Sequence, residues 1–167
     1  LNDQTETPPT IKELFTSKLN RLSSDGKLVV ELISVIPGKA EKWLVQKLVK
    51  DLTLIDEILE LGILKNESDS FLFKHELARM AIEESLPESK RIGFNSIVLD
   101  VLIHEQNNEQ FLSRIIHHAS KAINKEAIIK FAPSAAKQAS KLGAHREAVK
   151  IYNIIFKYSD FLSAKQK

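Results

Sequence analysis

Gly62-Ile63-Leu64-Lys65-Asn66-Glu67-Ser68-Asp69-Ser70-Phe71-Leu72-Phe73 interrupts a chain that otherwise carries apolar residues at helical spacing. Its two short apolar runs, Gly62 to Lys65 and Ser70 to Phe73, flank the polar turn Asn66 to Asp69, and that arrangement reads as a small β-hairpin. What precedes and follows the hairpin therefore decides the architecture.

Upstream the pattern is helical. Residues 1–9 form a polar tail ending in Pro8-Pro9 and read as a linker. Thr10 with Glu13 makes a capping box for a helix that carries Leu14, Phe15, Leu19 and Leu22. Ser23-Ser24-Asp25 starts a second helix with Leu28, Val29, Leu32 and Ile33 inward, stopped by Pro37-Gly38. A third runs from about Ala40 to Val49 with Trp43, Leu44 and Leu48 on one side, and a fourth from about Asp51 to Leu61 with Leu52, Ile55, Ile58 and Leu59 inside. Helices followed by a hairpin is the order of a winged helix, so residues 10–87 are expected to form a winged-helix-like domain.

Downstream the chain returns to helices. Leu77, Met80, Ala81 and Leu86 line a helix ended by Pro87. Phe94, Ile97, Val98, Val101 and Leu102 recur with the spacing of an amphipathic helix, as do Phe111, Leu112, Ile115, Ile116 and Ala119. Ile128, Phe131, Ala132, Ala135, Ala136, Ala139 and Leu142 stay in register through Pro133, which predicts a helix kinked there and ended by Gly143. A last helix takes Ala148, Ile151, Tyr152, Ile155 and Phe156. Gly143, Ala148, Tyr152 and Ile155 match half of a tetratricopeptide repeat, and residues 88–167 are expected to be stacked, TPR-like helical hairpins.

Composition narrows the classes. The 167 residues are 43% hydrophobic and 28% charged, too apolar for a disordered chain. The absence of Cys excludes disulfide scaffolds, thiolate zinc sites and thiol catalysis. No apolar run is long enough to span a bilayer and no signal sequence opens the chain, so a cytoplasmic location is expected. The numbering begins at Leu1 and the sole Met is Met80, which suggests a fragment of something longer. Net charge is +2, but from Ser134 onward seven Lys/Arg stand against Glu147 and Asp160. A basic helical end of this kind is either a solvated face or a weak contact for polyanions.

Chemistry is sparse. No Gly-rich phosphate cradle exists, so neither ATP hydrolysis nor any other catalysis is expected of this segment, and no cofactor. His75-Glu76-Leu77-Ala78-Arg79 begins like a zinc protease helix but has Arg79 where the second histidine ligand belongs. His117 and His118 are adjacent, about 100° apart on a helix, and do not converge on one metal. His104 and His145 lie near helix ends, and Asp56-Glu57 and Glu83-Glu84 read as solvated faces. The helix before the hairpin, the recognition helix of a DNA-binding winged helix, carries Asp51, Asp56, Glu57 and Glu60 with no Lys or Arg. Phosphates would repel it, so specific DNA binding is not expected.

Several segments together resemble a known family. Phe73-Lys74-His75-Glu76-Leu77-Ala78-Arg79-Met80-Ala81 through Leu86 is similar to the FRHELARxAxxxxL segment of large LuxR-type, MalT-like ATP-binding transcriptional regulators, members of the STAND class of signalling NTPases. Lys18-Leu19-Asn20-Arg21-Leu22-Ser23 and Ser34-Val35-Ile36-Pro37-Gly38 resemble its RLxxLS and SVxPG segments. Ile116-His117-His118-Ala119, Phe131-Ala132-Pro133-Ser134-Ala135-Ala136 and Leu142-Gly143-Ala144-His145-Arg146-Glu147-Ala148 resemble its HHA, YAPxAA and LGAHREA segments.

The resemblance implies a winged helix plus the first repeats of a larger protein, whose own P-loop NTPase domain would bind ATP or ADP and whose further helical repeats would be the other partner. It implies a role for His75 as a nucleotide-phosphate sensor in that parent; the residue-level alternative is a histidine packed at the hairpin–helix junction. Lys74 and Asn95 stand where the family usually has Arg and often has His, and Glu76 stands where the Met-His-Asp-like motif of related STAND proteins has Asp. Two functions follow as expectations: a non-catalytic coupling module of a signal-transduction ATPase, or a stand-alone helical scaffold that binds a protein partner.

Overall fold

The computed structural model describes residues 11–164, with side chains over 15–157. The linker 1–9, the Thr10–Glu13 capping box, Leu14, Asp160, Lys165 and Lys167 lie outside the described side chains. The chain is mainly helical, with one small three-stranded antiparallel sheet, and divides into two compact units, Leu1–Leu86 and Pro87–Lys167. No described helix is long and apolar enough to cross a membrane.

The first unit runs α1 (Ile11–Arg21), α2 (Ser24–Ser34), β1 (Lys39–Glu41), α3 (Lys42–Leu48), α4 (Thr53–Glu60), β2 (Leu64–Glu67), β3 (Ser70–Phe73) and α5 (Glu76–Ser85). The hairpin β2–β3 pairs Leu64 with Phe73 and Glu67 with Ser70. The sequence pattern places Ala40 in the following helix and does not show β1. Lys39, Ala40 and Glu41 instead pair with Leu72, Phe71 and Ser70, giving the order β1-β3-β2. The reason lies in the hairpin turn: the Lys42 amide donates to the Asp69 carbonyl at 2.8 Å and its ammonium to the Ser68 carbonyl at 3.0 Å. These bonds hold the three residues before α3 extended along an edge that would otherwise be unpaired.

The α2 start is braced from two sides. Ser23 Oγ accepts from the Gly26 amide at 3.0 Å as an N-cap. The Glu57 carboxylate of α4 accepts from the Ser23 amide at 2.7 Å and its hydroxyl at 2.8 Å. Those two donors, the amide first, hold the Glu57 pKa below its ordinary value. Glu57 is thus a tether rather than the solvated acid expected. At the other end of α4, Gly62 takes φ +62 while its amide bonds Leu59 O and the Ile63 amide bonds Ile58 O, a Schellman closure that turns the chain into β2. Val30, Ile33, Val35, Ile36, Leu44, Val45, Ile55, Ile58, Ile63 and Leu64 form the core here. Leu28 and Leu52, expected inside, are 46% and 45% exposed, and Val30 is inside instead.

The second unit runs α6 (Glu88–His104), a 3₁₀ turn (Asn108–Phe111), α7 (Leu112–Lys121), α8 (Lys125–Lys141) and α9 (His145–Ala164), each α-helix packed on the next. α8 is continuous through Pro133, which lies on its exposed side. Ile128, Phe131, Ala132, Ala135, Ala136 and Ala139 are all buried, so packing on both sides of the proline offsets the lost backbone hydrogen bond. Asn124 caps α8 by accepting from the Ala127 amide at 2.9 Å. Ile97, Leu142, Tyr152 and Phe156, expected in the core, are exposed; Ala148 and Ile151 carry the α9 contact.

Candidate functional site

The His75 site is built at the junction of β3 and α5. The Lys74 amide donates to the Ile63 carbonyl at 3.0 Å, fixing the exit from the sheet. His75 is the extended N-cap of α5, and its carbonyl accepts from the Ala78 and Arg79 amides at 3.0 and 3.2 Å. Its imidazole makes no capping bond and the residue is exposed. The backbone is held while the ring faces solvent, so His75 is not the packed junction histidine that one reading of the sequence offered.

Arg79 sets which way α5 faces. It is 5% exposed; Nε donates to Glu76 at 2.6 Å and Nη1 to Glu83 at 2.8 Å. Nη1 also donates to the Ser34 carbonyl, one of the acceptors left open at the C-terminal end of α2. Burial alone lowers the guanidinium pKa, but the two carboxylates outweigh it and hold the pKa above its ordinary value. The cation therefore takes an inward position beside Ala78, Ile82 and Leu86. Leu77, Met80 and Ala81, expected to line the core, are turned outward, with Leu77 80% exposed. Lys74, His75, Leu77, Met80 and Ala81 are thus all exposed on one short segment. Glu83 is Arg79's partner rather than a solvated acid.

In the second unit, His118 and Asn95 are both fully buried, and the ring Nδ1 lies 2.8 Å from Asn95 Oδ1. Asn95 Nδ2 donates to the Arg91 carbonyl at 2.8 Å, which leaves Oδ1 as acceptor and assigns the imidazole proton to Nδ1. Burial, then the charges of His117 and Arg114, push the His118 pKa down to about 3, so the ring is neutral. The His117 ring stands edge-on to it, centroids 5.0 Å apart. Among the described residues no three His, Cys, Asp or Glu side chains gather to hold a metal. His104 Nδ1 lies 2.8 Å from the Asp100 carbonyl at the exposed end of α6, and His145 is exposed at the start of α9.

A site that the sequence does not reveal is a concavity of about 570 Å³ between the 3₁₀ turn and α8, whose lining includes Lys130, Lys137, Lys141, Phe131 and Leu112. The sequence shows Lys137 and Lys141 only as part of a basic end and does not single out Lys130, because the opposing wall comes from residues about twenty positions upstream. Comparison of the chain with protein-family models, with curated proteins and with solved structures finds no match.

Proposed function

We propose that this chain is a non-catalytic coupling and scaffold segment of a signal-transduction ATPase of the LuxR-type regulator kind. In this reading the first unit is a winged helix and the second a stack of TPR-like hairpins, and together they relay nucleotide state from a P-loop NTPase domain to helical repeats. Support for the winged helix comes from the order α2-β1-α3-α4-β2-β3 with β1 beside β3. Support for the repeats comes from consecutive helices that pack in sequence, α6 on α7, α7 on α8 and α8 on α9.

The observation that carries the proposal is the His75 segment. An imidazole that is exposed while the Lys74 amide before it and its own carbonyl are hydrogen-bonded, on a segment that also exposes Leu77, Met80 and Ala81, is suited to meet a phosphate across a domain contact. The apolar neighbours would be the part of that contact that excludes water, which strengthens a hydrogen bond to phosphate. ATP or ADP would belong to the partner domain, and α4, with Asp56, Glu57 and Glu60, would not read DNA. The coding sequence in frame with Leu1 tests the reading. A Walker A motif upstream supports it, and a stop codon directly upstream refutes it in favour of the stand-alone scaffold.

A further inference from the structure

The concavity on the second unit is predominantly basic. Its lining includes Lys130, Lys137 and Lys141 from α8, all exposed, against the single carboxylate of Glu109. The Gln138 side-chain amide donates to the Glu109 carbonyl at 3.1 Å and the Asn108 side-chain amide to the Ile103 carbonyl at 2.9 Å, so the far wall is fixed before any ligand arrives. The Lys130 ammonium lies 5.0 Å from the centre of the Phe131 ring.

Along α8 the rise of about 1.5 Å per residue puts Lys130 and Lys137 about 10 Å apart and Lys137 and Lys141 about 6 Å apart. An extended peptide advances about 3.3 Å per residue and returns to the same face every second residue, so carboxylates two residues apart match the separation of Lys137 and Lys141. We propose that this groove binds an extended acidic segment of a partner protein, whose carboxylates meet Lys137 and Lys141 and, further along the groove, Lys130. The proposal rests on the reading of this unit as a protein-binding scaffold.

A nucleic acid strand fits the groove less well. Single strands are held largely by bases stacked on open aromatic faces, and Phe131 is only 8% exposed. Glu109 would also repel phosphates. A peptide instead offers backbone N–H groups to that carboxylate.

The test is fluorescence anisotropy on the whole chain with a short labelled peptide of alternating Glu and Leu, its Lys and Leu counterpart, and a labelled single-stranded oligothymidylate. The acidic peptide should bind, weakening as salt shortens the screening length, and the basic one should not. Lys137→Glu with Lys141→Glu should weaken binding by about tenfold or more, Lys137→Gln with Lys141→Gln by less, and Lys150→Glu on α9 should change nothing. Equal affinity for the double charge reversal and the wild type overturns the proposal, as does oligothymidylate binding tighter than the acidic peptide and being lost in the same variant. A negative result here leaves diphosphate affinity in the longer protein untouched, so the groove and the nucleotide-coupling reading fail separately.

Discussion

Acidification should destabilise the second unit through one residue. His118 is fully buried and its pKa falls from 6.5 to about 3 on folding, so the unfolded chain binds a proton that the folded unit refuses. The group's contribution is complete above pH 6.5 and is lost as pH falls from there toward the folded value. Across that window the slope is about 1.4 kcal/mol per pH unit, so going from about pH 7.5 to about pH 5 costs about 2 kcal/mol. Urea unfolding followed by far-ultraviolet circular dichroism measures it. The fluorescence of Trp43, the sole tryptophan, reports the first unit separately. Asn95→Leu with His118→Phe replaces both buried partners by apolar groups and should remove the slope. Equal stability at the two pH values, or the same slope in the double variant, would refute the assignment of His118 as a neutral, buried donor to Asn95.

Two further outcomes concern stability. Arg79→Met strands Glu83 and the Ser34 carbonyl without their cation, and should cost about 3 kcal/mol in urea unfolding read by Trp43; a cost below about 1 kcal/mol would show that α5 does not depend on that buried cluster. Ile123 closes α7 at φ +56, a left-handed conformation unfavourable for a β-branched side chain, and is half exposed. Ile123→Gly should therefore raise the stability of the second unit by about 1 kcal/mol, and a lower melting temperature would contradict this.

Local signals were legible wherever one residue dictates the backbone. The hairpin, the Ser23 cap, the stop at Pro87 and the turn at Gly143 were readable because they rest on turn and cap chemistry. Helical faces were less so. On α5 the apolar period points Leu77 and Met80 inward, but Arg79 donates to the Ser34 carbonyl of α2 while Glu76 and Glu83 of its own helix balance its charge, and that long-range bond fixes the inward face of α5. On α6 the buried positions are Asn95, Val98, Leu99 and Leu102, a regular helical stripe that contains a polar residue and is overlooked when only apolar letters are counted. β1 was invisible for a different reason. Its strand pairing is set by β3, some thirty residues on, and not by anything in Lys39-Ala40-Glu41 itself. His75 was legible as a residue of interest, but its exposure follows from the capping geometry of α5.

The most direct measurement for the coupling role is the nucleoside diphosphate affinity of the protein expressed from the whole reading frame, wild type against His75→Ala, alongside melting of the present chain with and without the same change. Removing a charge-assisted hydrogen bond to phosphate, worth about 1.5–3 kcal/mol, should weaken diphosphate binding by about ten- to a hundredfold. The melting temperature of this chain should stay nearly unchanged, since the ring is exposed. Unchanged diphosphate affinity, or no diphosphate binding by the wild type, would contradict the account.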